Sequence, residues 1–443
     1  MALSPRHAWF AILVFSATFA VPEVASAVPA AVPPLAPVVG PNDYADLRWR
    51  LLGPFRGGWA TAVAGLPGEP ASFLFGAADG GVWKTTDAGV TWRPLFERDR
   101  ASSIGALAIA PSDPRVIWIG TGQVHQRWDV VSGEGLFRST DGGVTWNPAG
   151  LRDSRHIGKI WVDPNNADVA VVAALGHLFG PGGDRGLFRT EDGGKSWQQV
   201  LYRDADTGAV EIAGDPAHPE RLYAATWQVR RHPWLDYFQP TEGPGSAVYS
   251  SADGGRTWTA CGRSGWPAGD LGRIALAVAP GSSGHKVWAA VSGKGLFSST
   301  DGGATWALTN GDGSLANSYM ANLAADPRDP ETLWAMGRGL RKSTDGGKTF
   351  TIAKGAPGGD DYHILWIDPT DSMRMITGAD QGAVVTLNGG VSWSSWYNQP
   401  TGQFYRLAAD KRFPYWIYSG QQDSGTVAIA SRSDYGQLTF RDW

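Results

Sequence analysis

The sequence predicts an all-β fold: a seven-bladed β-propeller of four-stranded antiparallel blades, with an eighth blade-like repeat at the C-terminus. An octet typified by STDGGVTW (139–146) occurs seven times, and each copy closes on an aromatic residue, namely Trp92, Trp146, Trp197, Trp258, Trp306, Phe350 and Trp393. Between octets, apolar segments flank an Asp-Pro turn, as in LAADPRDPETLWAMG (323–337). Helical periodicity of apolar residues is lacking after the N-terminal leader. Four short strands repeated at about 45 to 55 residues are typical of propeller blades.

Each octet is expected to connect the third and fourth strands of its blade, with the four strands named A to D in chain order. The glycines supply positive φ, and the aspartate accepts hydrogen bonds from turn amides. Asn388 takes the place of the aspartate in the seventh copy, and an amide could not replace a catalytic acid. We therefore predict a structural role for these aspartates, and we expect the closing aromatic residue to pack against the next blade.

The octet resembles the Asp-box of bacterial-neuraminidase-repeat propellers, which include sialidases, sortilin-type receptors, a plant photosystem assembly factor and the tandem-propeller xyloglucanases. The resemblance covers residues 45–443 and implies the fold, because this family shares the turn rather than the chemistry. Sialidase activity is not predicted. Arg56 is a candidate for one of the arginines that would bind a sugar carboxylate, but no set of three can be assembled.

Four segments are predicted along the chain. Residues 1–27 resemble a secretory signal that ends in Ala-Ser-Ala, and residues 28–43 form a Pro/Ala-rich linker. The Asp-box propeller spans 44–400, and the eighth blade-like repeat spans 401–443. Either all eight blades form one ring, or seven close the ring and the eighth opens a second, truncated propeller; we favour the latter. The predicted location is secreted or periplasmic.

Composition restricts the function classes. A formal net charge of −4 provides no positive field for phosphate backbones, so nucleic-acid binding is not predicted. The single cysteine, Cys261, excludes an intramolecular disulfide. No cofactor is predicted, and after cleavage of the signal no membrane association is expected.

Functional residues are expected on the B–C loops. The B–C and D–A loops share one face of the propeller, and the octets lie on the opposite face. The longest B–C loop, WQVRRHPWLDYFQPTEGPGSA (227–247), contains Arg230, Arg231, Trp234 and Tyr237. With Trp128 from another long loop, these residues are candidates for stacking on and binding a sugar. The alternative is that the rings pack the insertion against itself.

Three other B–C loops are short and acidic: FGAADGGVW with Asp79, TGADQGAVV with Asp380, and SGQQDSGTV with Asp423. The first and last resemble the segments on which tandem-propeller xyloglucanases carry their catalytic aspartates. The resemblance implies that Asp79 and Asp423 are the catalytic pair of an inverting glycosidase, whose carboxyls lie roughly 6.5 to 9.5 Å apart. Sequence does not assign the acid or the base. Each aspartate could equally end its strand in an Asx turn.

A last cluster, GGDDYH (358–363), precedes the A strand of the seventh blade on the same face. Asp361 and His363 are predicted to contact substrate, as is Asp380. Two ligands are too few for a metal site, and none is predicted.

The resulting hypothesis is a secreted propeller that binds a polysaccharide or oligosaccharide on its B–C loop face. As an enzyme it would be an inverting glycoside hydrolase acting on β-glucan-type polysaccharide. The alternative is a non-catalytic propeller that binds a protein or peptide, similar to sortilin-type receptors or the assembly factor.

Overall fold

The computed structural model describes residues 40–48, 50–96, 102–125, 127, 130–231, 241–356, 359–436 and 438–443. The chain divides into two units, one up to Leu51 and one from Leu52 to Trp443. The described part of the first unit contains a 3-10 turn, Pro41–Tyr44, where the Gly40 amide donates to Asp43 Oδ2 at 2.7 Å. Among the described residues, no helix has the length and apolar character needed to cross a membrane.

The second unit consists of antiparallel sheets whose strands follow one another in chain order. The first four sheets are β1 (Ala60–Gly65), β2 (Phe73–Ala77), β3 (Val82–Thr85), β4 (Arg93–Phe96); β5 (Ile104–Ile109), β6 (Ile117–Thr121), β7 (Leu136–Ser139), β8 (Asn147–Pro148); β9 (Ile157–Asp163), β10 (Asn166–Ala174), β11 (Gly186–Thr190), β12 (Gln198–Leu201); and β13 (Thr207–Gly214), β14 (Leu222–Gln228), β15 (Ala247–Ser251), β16 (Thr259–Ala260).

The remaining sheets are β17 (Ile274–Val278), β18 (Val287–Val291), β19 (Gly295–Ser299), β20 (Ala307–Asn310); β21 (Asn322–Ala325), β22 (Leu333–Met336), β23 (Leu340–Ser343), β24 (Thr351–Lys354); β25 (Tyr362–Asp368), β26 (Asp371–Ala379), β27 (Gly382–Thr386); and β28 (Phe404–Ala409), β29 (Trp416–Gln421), β30 (Gly425–Ala430). Short 3-10 turns occur at Arg152–Ser154, Gly313–Leu315 and Phe440–Asp442.

The all-β propeller prediction is confirmed, with one difference in the seventh and eighth sheets, which have three strands each among the described residues. In the seventh sheet, a fourth strand begins but is not extended. Ser394 exchanges two hydrogen bonds with Val385, through its backbone amide at 2.9 Å and its hydroxyl at 3.0 Å. The Tyr397 amide then donates to Ser395 Oγ at 3.0 Å, which turns the chain away from the sheet.

The ring contains seven blades. A buried apolar cluster joins each sheet to the next, from the first sheet to the seventh. A further cluster joins the seventh sheet back to the first, with Phe73 and Phe75 packed among Ile376, Ala383 and Val385. The eighth sheet lies outside this ring: its first strand, β28, exposes Tyr405 by 69% and Leu407 by 72%. An eight-bladed ring is therefore not what this sequence forms.

The octet aspartates hold turns, as predicted. Asp141 accepts the Thr145 amide at 2.9 Å, the Thr145 hydroxyl at 2.6 Å and the Ser139 hydroxyl at 2.8 Å. The same bonds recur at Asp87, Asp192, Asp253, Asp301 and Asp345. Asn388 reproduces them by accepting the Ser392 amide at 2.9 Å and donating to the Ser392 hydroxyl at 2.8 Å. In every copy, hydrogen bonds within the turn account for the Asp or Asn at this position of the octet.

The closing aromatic residues pack against the preceding blade. The prediction that they would pack against the next blade was wrong. The Trp146 ring lies 5.4 Å from Phe96 of the first sheet, and its indole donates to the Leu95 carbonyl at 3.2 Å. The Trp197 indole likewise donates to the Ala149 carbonyl of the second sheet at 2.8 Å. The aromatic side chain at the end of each octet therefore points toward the blade that precedes its own in the chain.

Antiparallel order fixes the two faces of the propeller. Because each strand reverses the last, the A–B turns and the octets share one face, and the B–C and D–A loops share the other. The short acidic loops and the long insertions all lie on this second face.

Candidate active site

Three acidic residues are held on tight loops of the B–C face. Asp380 begins the two-residue connection between β26 and β27, whose ends are the paired Ala379 and Gly382. Asp423 is the middle residue of a three-residue loop closed by the Gln421–Gly425 pair. Asp361 directly precedes β25 in a D–A loop.

The three carboxyls line one cavity of about 480 Å³. Asp380 is buried, Asp361 is half-buried and Asp423 is exposed. The other residues that line this cavity are Arg127, Asn317, Ser318, Tyr319, Met320, Arg338 and Gln422. The structure thus brings together three of the sequence-predicted site residues from the seventh blade and the eighth sheet.

Asp380 is the most enclosed of these carboxyls. Its Oδ1 lies 2.6 Å from His363 Nε2, and the Tyr319 hydroxyl donates to Oδ1 at 3.2 Å and lies 3.4 Å from Oδ2. Burial raises the pKa of Asp380 to about 8, and a hydrogen bond and charge repulsion from Asp423 add to this effect. The Arg127 guanidinium opposes the rise but does not cancel it.

His363 is buried against other rings. Its imidazole lies 4.8 Å from His125, 5.1 Å from Tyr319 and 5.3 Å from Trp59, measured between ring centroids. Burial lowers the pKa of His363 to about 3 and holds that of His125 well below its usual value. Both histidines are therefore neutral at physiological pH, so they supply no positive charge to the carboxyls.

Asp361 and Asp423 both adopt left-handed backbone conformations, with φ of 48° and 51°. Aspartate tolerates this region better than most residues do, although it is a sparsely populated one that is often found at functional sites. Burial raises the pKa of Asp361, and its electrostatic interaction with the neighbouring carboxyl of Asp380 adds to the rise. The exposed Asp423 accepts a hydrogen bond from Gln422 Nε2 at 2.8 Å.

A second cavity of about 280 Å³ adjoins the first, and Asp423 lines both. Trp396 and Tyr397 provide aromatic surface there, and Asp360 and Gln381 provide polar groups. Gln381 Nε2 donates to Asp360 Oδ1 at 2.6 Å, which links a D–A loop to the loop of Asp380. Asp423 therefore stands where an acidic cavity meets an aromatic one.

The segment GPFRGG (53–58) holds the eighth sheet in place beside these cavities. Arg56 Nη1 donates to the Ser424 carbonyl at 3.0 Å, and its guanidinium lies 4.7 Å from the Trp443 ring centroid. Gln421 Nε2 donates to the Gly57 carbonyl at 2.9 Å. Arg56 is thus engaged in supporting the loop of Asp423.

Other predicted residues lie apart from this cluster. Asp79 is exposed on the loop between β2 and β3 and is not among the residues that line the two cavities. Arg230 forms an ion pair with Asp206, and Arg231 is 1% exposed, so its guanidinium does not face solvent. Trp128, Trp234 and Tyr237 lie outside the described residues.

The described parts of the long loops share a local apolar core. Val124 and Val130, Leu175 and Leu178, and Val229 come from three successive loops and pack together with Trp227. Arg185 fixes the middle loop by donating to the carbonyls of Leu175, at 3.2 Å, and Gly180, at 2.6 Å.

Tyr319 and Arg127 were not found from sequence. Tyr319 lies in a D–A loop whose acidic residue, Asp312, caps the 3-10 turn Gly313–Leu315, so no local signal marked Tyr319 itself. Arg127 lies 4.4 Å over the Trp59 ring at the mouth of the cavity, a contact between segments that are far apart in sequence. In the described ranges, no three His, Cys, Asp or Glu side chains are arranged to hold a metal ion.

In comparison with known proteins, the sequence relatives found are xyloglucanases. No family model matches the chain. A xyloglucanase of Paenibacillus sp. is 28% identical over 226 residues, which is 46% of this chain and 21% of that protein. A xyloglucanase of Acetivibrio thermocellus is 27% identical over 209 residues, covering 42% of this chain and 24% of that protein. The chain thus spans less than a quarter of the length of these curated relatives.

Solved structures resemble the chain in fold. A GH74 enzyme of Niastella koreensis matches with a TM-score of 0.61 at 15% identity, covering 87% of this chain and 60% of that one. A GH74 xyloglucanase of Xanthomonas campestris matches with a TM-score of 0.60 at 19% identity, covering 84% and 59%. YCF48 of Cyanidioschyzon merolae has a TM-score of 0.50 at 16% identity, covering 78% and 99%. The likeness to sialidase and sortilin-type propellers stays a prediction.

Proposed function

We propose that this chain binds a β-glucan-type polysaccharide on its B–C loop face and hydrolyses it with inversion of configuration. The observation that carries the proposal is the position of Asp423, which lines both an acidic cavity and an aromatic one. Aromatic rings stack on sugar faces, and a carboxylate beside such a platform can act on the bound glycosidic bond.

The differing protonation of neighbouring carboxyls supports acid–base chemistry. The pKa of Asp380 is raised to about 8, whereas Asp423 is solvent-exposed. A buried carboxyl that keeps its proton can orient the neighbouring exposed carboxyl that would act as the base.

In the proposed reaction, Asp423 is the general base. Its carboxylate takes a proton from water while the water oxygen bonds to the anomeric carbon, and the glycosidic C–O bond breaks as the leaving oxygen takes a proton from the general acid. The resemblance to xyloglucanases suggests Asp79 as that acid, on the exposed loop between β2 and β3. Inversion requires a separation of roughly 6.5 to 9.5 Å between the two carboxyls when substrate is bound.

The substrate class follows from the xyloglucanase relatives, which are 28% and 27% identical over part of the chain. The chain matches only 21% of the first relative. A β-glucan-type substrate is therefore a proposal for this chain. Trp396 and Tyr397 are suitable for stacking in the second cavity, and Asp361 and Asp380 for hydrogen bonds to sugar hydroxyls. Trp128, Trp234 and Tyr237 remain proposed contacts from the long loops.

The domain organisation beyond the ring is also a proposal. We infer that residues 1–27 direct export to a secreted or periplasmic location and that 28–43 form a linker. The exposed face of β28 supports the idea that residues 401–443 begin a second propeller, because the first strand of a blade is normally covered by its neighbours.

The test is hydrolysis of a panel of xyloglucan, mixed-linkage β-glucan and carboxymethyl-cellulose, followed by release of reducing ends. Wild type should act on at least one of them, and Asp423→Asn should not. Asp371→Asn is the matched control, because Asp371 is exposed at the start of β26, on the face opposite the proposed site. Affinity electrophoresis of Asp423→Asn in the same polysaccharide should show retained binding.

Either of two results would reject hydrolysis. If wild type binds the glycans without releasing reducing ends, the chain is a binding module. If it binds no glycan but captures a defined peptide or protein, the non-catalytic alternative replaces the enzyme.

A further inference from the structure

We propose that Asp380 and Asp423 hold a single proton between them, resident on Asp380, and that His363 and Tyr319 are the positioning residues that keep it there. This inference rests on the proposed function in one respect, since it treats Asp423 as the base. In this arrangement the buried carboxyl is a permanent hydrogen-bond donor to the exposed carboxylate that would activate water.

Asp380 is buried beside two neutral hydrogen-bonding side chains. Its side chain is 4% exposed, and its closest partners are the His363 imidazole at 2.6 Å and the Tyr319 hydroxyl at 3.2 Å. Neither partner is a cation, because burial keeps His363 neutral with a pKa of about 3. An ionised carboxylate at this depth would lack a hydrogen-bonded positive charge, which is costly.

The direction of the hydrogen bonds also favours a proton on Asp380. Within the described residues, His363 Nδ1 is buried without a hydrogen-bond partner. If His363 carries its proton on Nε2, it donates that proton to Asp380 Oδ1. The unprotonated Nδ1, which is only an acceptor, is then the ring nitrogen without a partner, and no buried N–H donor is left unsatisfied. Tyr319 is also a donor, so Asp380 receives two hydrogen bonds from the protein. Its own proton is then free to bond the Asp423 carboxyl, which lines the same cavity and contributes to the raised pKa of Asp380.

The surrounding charges are consistent with one retained proton. The carboxyls of Asp361 and Asp423 share the cavity with Asp380, and repulsion among them favours keeping one carboxyl neutral. The titratable and charged groups that face the pair are Asp361, His363, His125, Tyr319, Arg127, Arg273 and, exposed at the cavity rim, Arg338. The Arg127 guanidinium is stacked on Trp59 at 4.4 Å, and Arg273 donates to the Tyr319 carbonyl at 3.0 Å.

The proton balance of the reaction follows. Asp423 gains the proton that water loses, and Asp380 retains its own throughout, so both carboxyls are neutral once the glycosidic bond has broken. Release of the Asp423 proton to solvent restores the pair, and the general acid regains from solvent the proton that it gave to the leaving oxygen. Asp380 thus acts through Asp423 by orienting its carboxylate, and it does not exchange a proton with the sugar.

Difference infrared spectroscopy tests the proton directly. The spectrum of wild type minus that of Asp380→Asn, both full-length chains at pH 7, should contain the C=O band of a protonated carboxyl, which disappears as the pH rises through about 8. In Asp423→Asn, the negative neighbour is gone, so the band should disappear at a pH lower by about one unit or more. Absence of the band in wild type at pH 7 would overturn the proposal.

The pH dependence of hydrolysis tests the role of the pair. Wild-type activity should decline on the alkaline side as the general acid ionises and, separately, as Asp380 ionises; Asp380→Asn should lose only the Asp380 component, because its amide donor does not titrate. His363→Gln should move the alkaline limb by at least about half a pH unit, a change that a purely structural role would not produce. An unchanged alkaline limb in Asp380→Asn would refute the positioning role. If the infrared band is present and no polysaccharide is hydrolysed, the proposed function fails while the shared proton stands.

Discussion

His363 Nε2 lies 2.6 Å from Asp380 Oδ1, and the two side chains are 0% and 4% exposed. The contact joins the A strand of the seventh blade to its B–C loop. Asp380 in turn shares its cavity with Asp423 of the eighth sheet, so a buried pair in the ring lies beside the exposed carboxyl outside it. Stability, pH dependence and catalysis should therefore all respond to changes at these three residues.

The first prediction concerns stability and pH. The pKa of Asp380 is about 8 in the folded chain against 3.8 for an ordinary carboxyl, so between these values the native state binds a proton that the unfolded state has released. The free energy of unfolding therefore falls as pH rises from about 4 to about 8, by up to roughly 5 kcal/mol. Asp380→Asn should show a flatter dependence and be more stable than wild type at pH 8. Urea unfolding at pH 5 and pH 8 measures both.

Asp371→Asn is the control for that comparison, because it removes an exposed carboxyl on the face opposite Asp380. It should keep the wild-type pH dependence. Equal slopes for wild type and Asp380→Asn would mean that Asp380 ionises normally in the folded chain.

The second prediction concerns the proposed base. Removing a general base typically lowers the rate by about 10²- to 10⁴-fold, so Asp423→Asn should lower kcat on the best polysaccharide by at least about a hundredfold. KM should change little, because the aromatic surface of the second cavity remains. Steady-state kinetics on purified variants with unchanged melting temperatures provides the measurement, and a kcat within threefold of wild type would remove Asp423 from the chemistry.

The third prediction concerns Gly57. A Cβ at this position would lie 2.1 Å from the Gln381 carbonyl oxygen, which belongs to the loop of Asp380 and is backbone. Gly57→Ala should therefore lower stability by about 1–3 kcal/mol or more and reduce activity, because the loop must shift. Gly420→Ala is the matched control, since a Cβ added there would have no atom within 4 Å. Comparable melting temperatures for the two variants would contradict the close packing of GPFRGG.

The fourth prediction concerns the octets. Asp253 accepts the Thr257 amide at 2.9 Å and the Thr257 hydroxyl at 2.6 Å. Asp253→Ala leaves these donors to water and should cost about 1–3 kcal/mol, whereas Asp253→Asn should cost much less because Asn388 fills the same turn. Neither variant should change kcat, since the octets lie on the face opposite the proposed site. Thermal unfolding and hydrolysis assays on both variants check this.

The same turn has a pH signature. Burial raises the pKa of Asp253, but hydrogen bonds from Thr257 and Ser251 lower it to about 2 overall. Its stabilising effect is therefore full above about pH 4 and is lost as pH falls toward 2. The stability difference between wild type and Asp253→Ala should narrow over that range.

Much of the fold could be predicted because its signals are local. Each octet combines the glycines and the aspartate of one turn within eight residues, and its recurrence sets the blade period. Ring closure at seven was not local: it depends on Phe73 and Phe75 of the first sheet fitting against Ile376 and Val385 of the seventh. The direction in which Trp146 packs was missed because periodicity places a residue on a strand without saying which neighbour it faces.

The site was predictable only in part. Asp380, Asp423, Asp361 and His363 were all recognised as candidates, because acidic residues in short B–C and D–A loops are conspicuous. Their mutual contacts depend on how the eighth sheet lies beside the ring, and no sequence pattern encodes that. Tyr319 carries no motif at all and was identified only through its 3.2 Å contact with Asp380.

The most direct test of the central claim is to follow xyloglucan hydrolysis from its first minutes by proton NMR of the newly formed reducing ends. Wild type should first release the α-anomer from a β-linked chain, and Asp423→Asn should release no product on the same time scale. Initial release of the β-anomer, or equal product from both proteins, would contradict an inverting mechanism that uses Asp423.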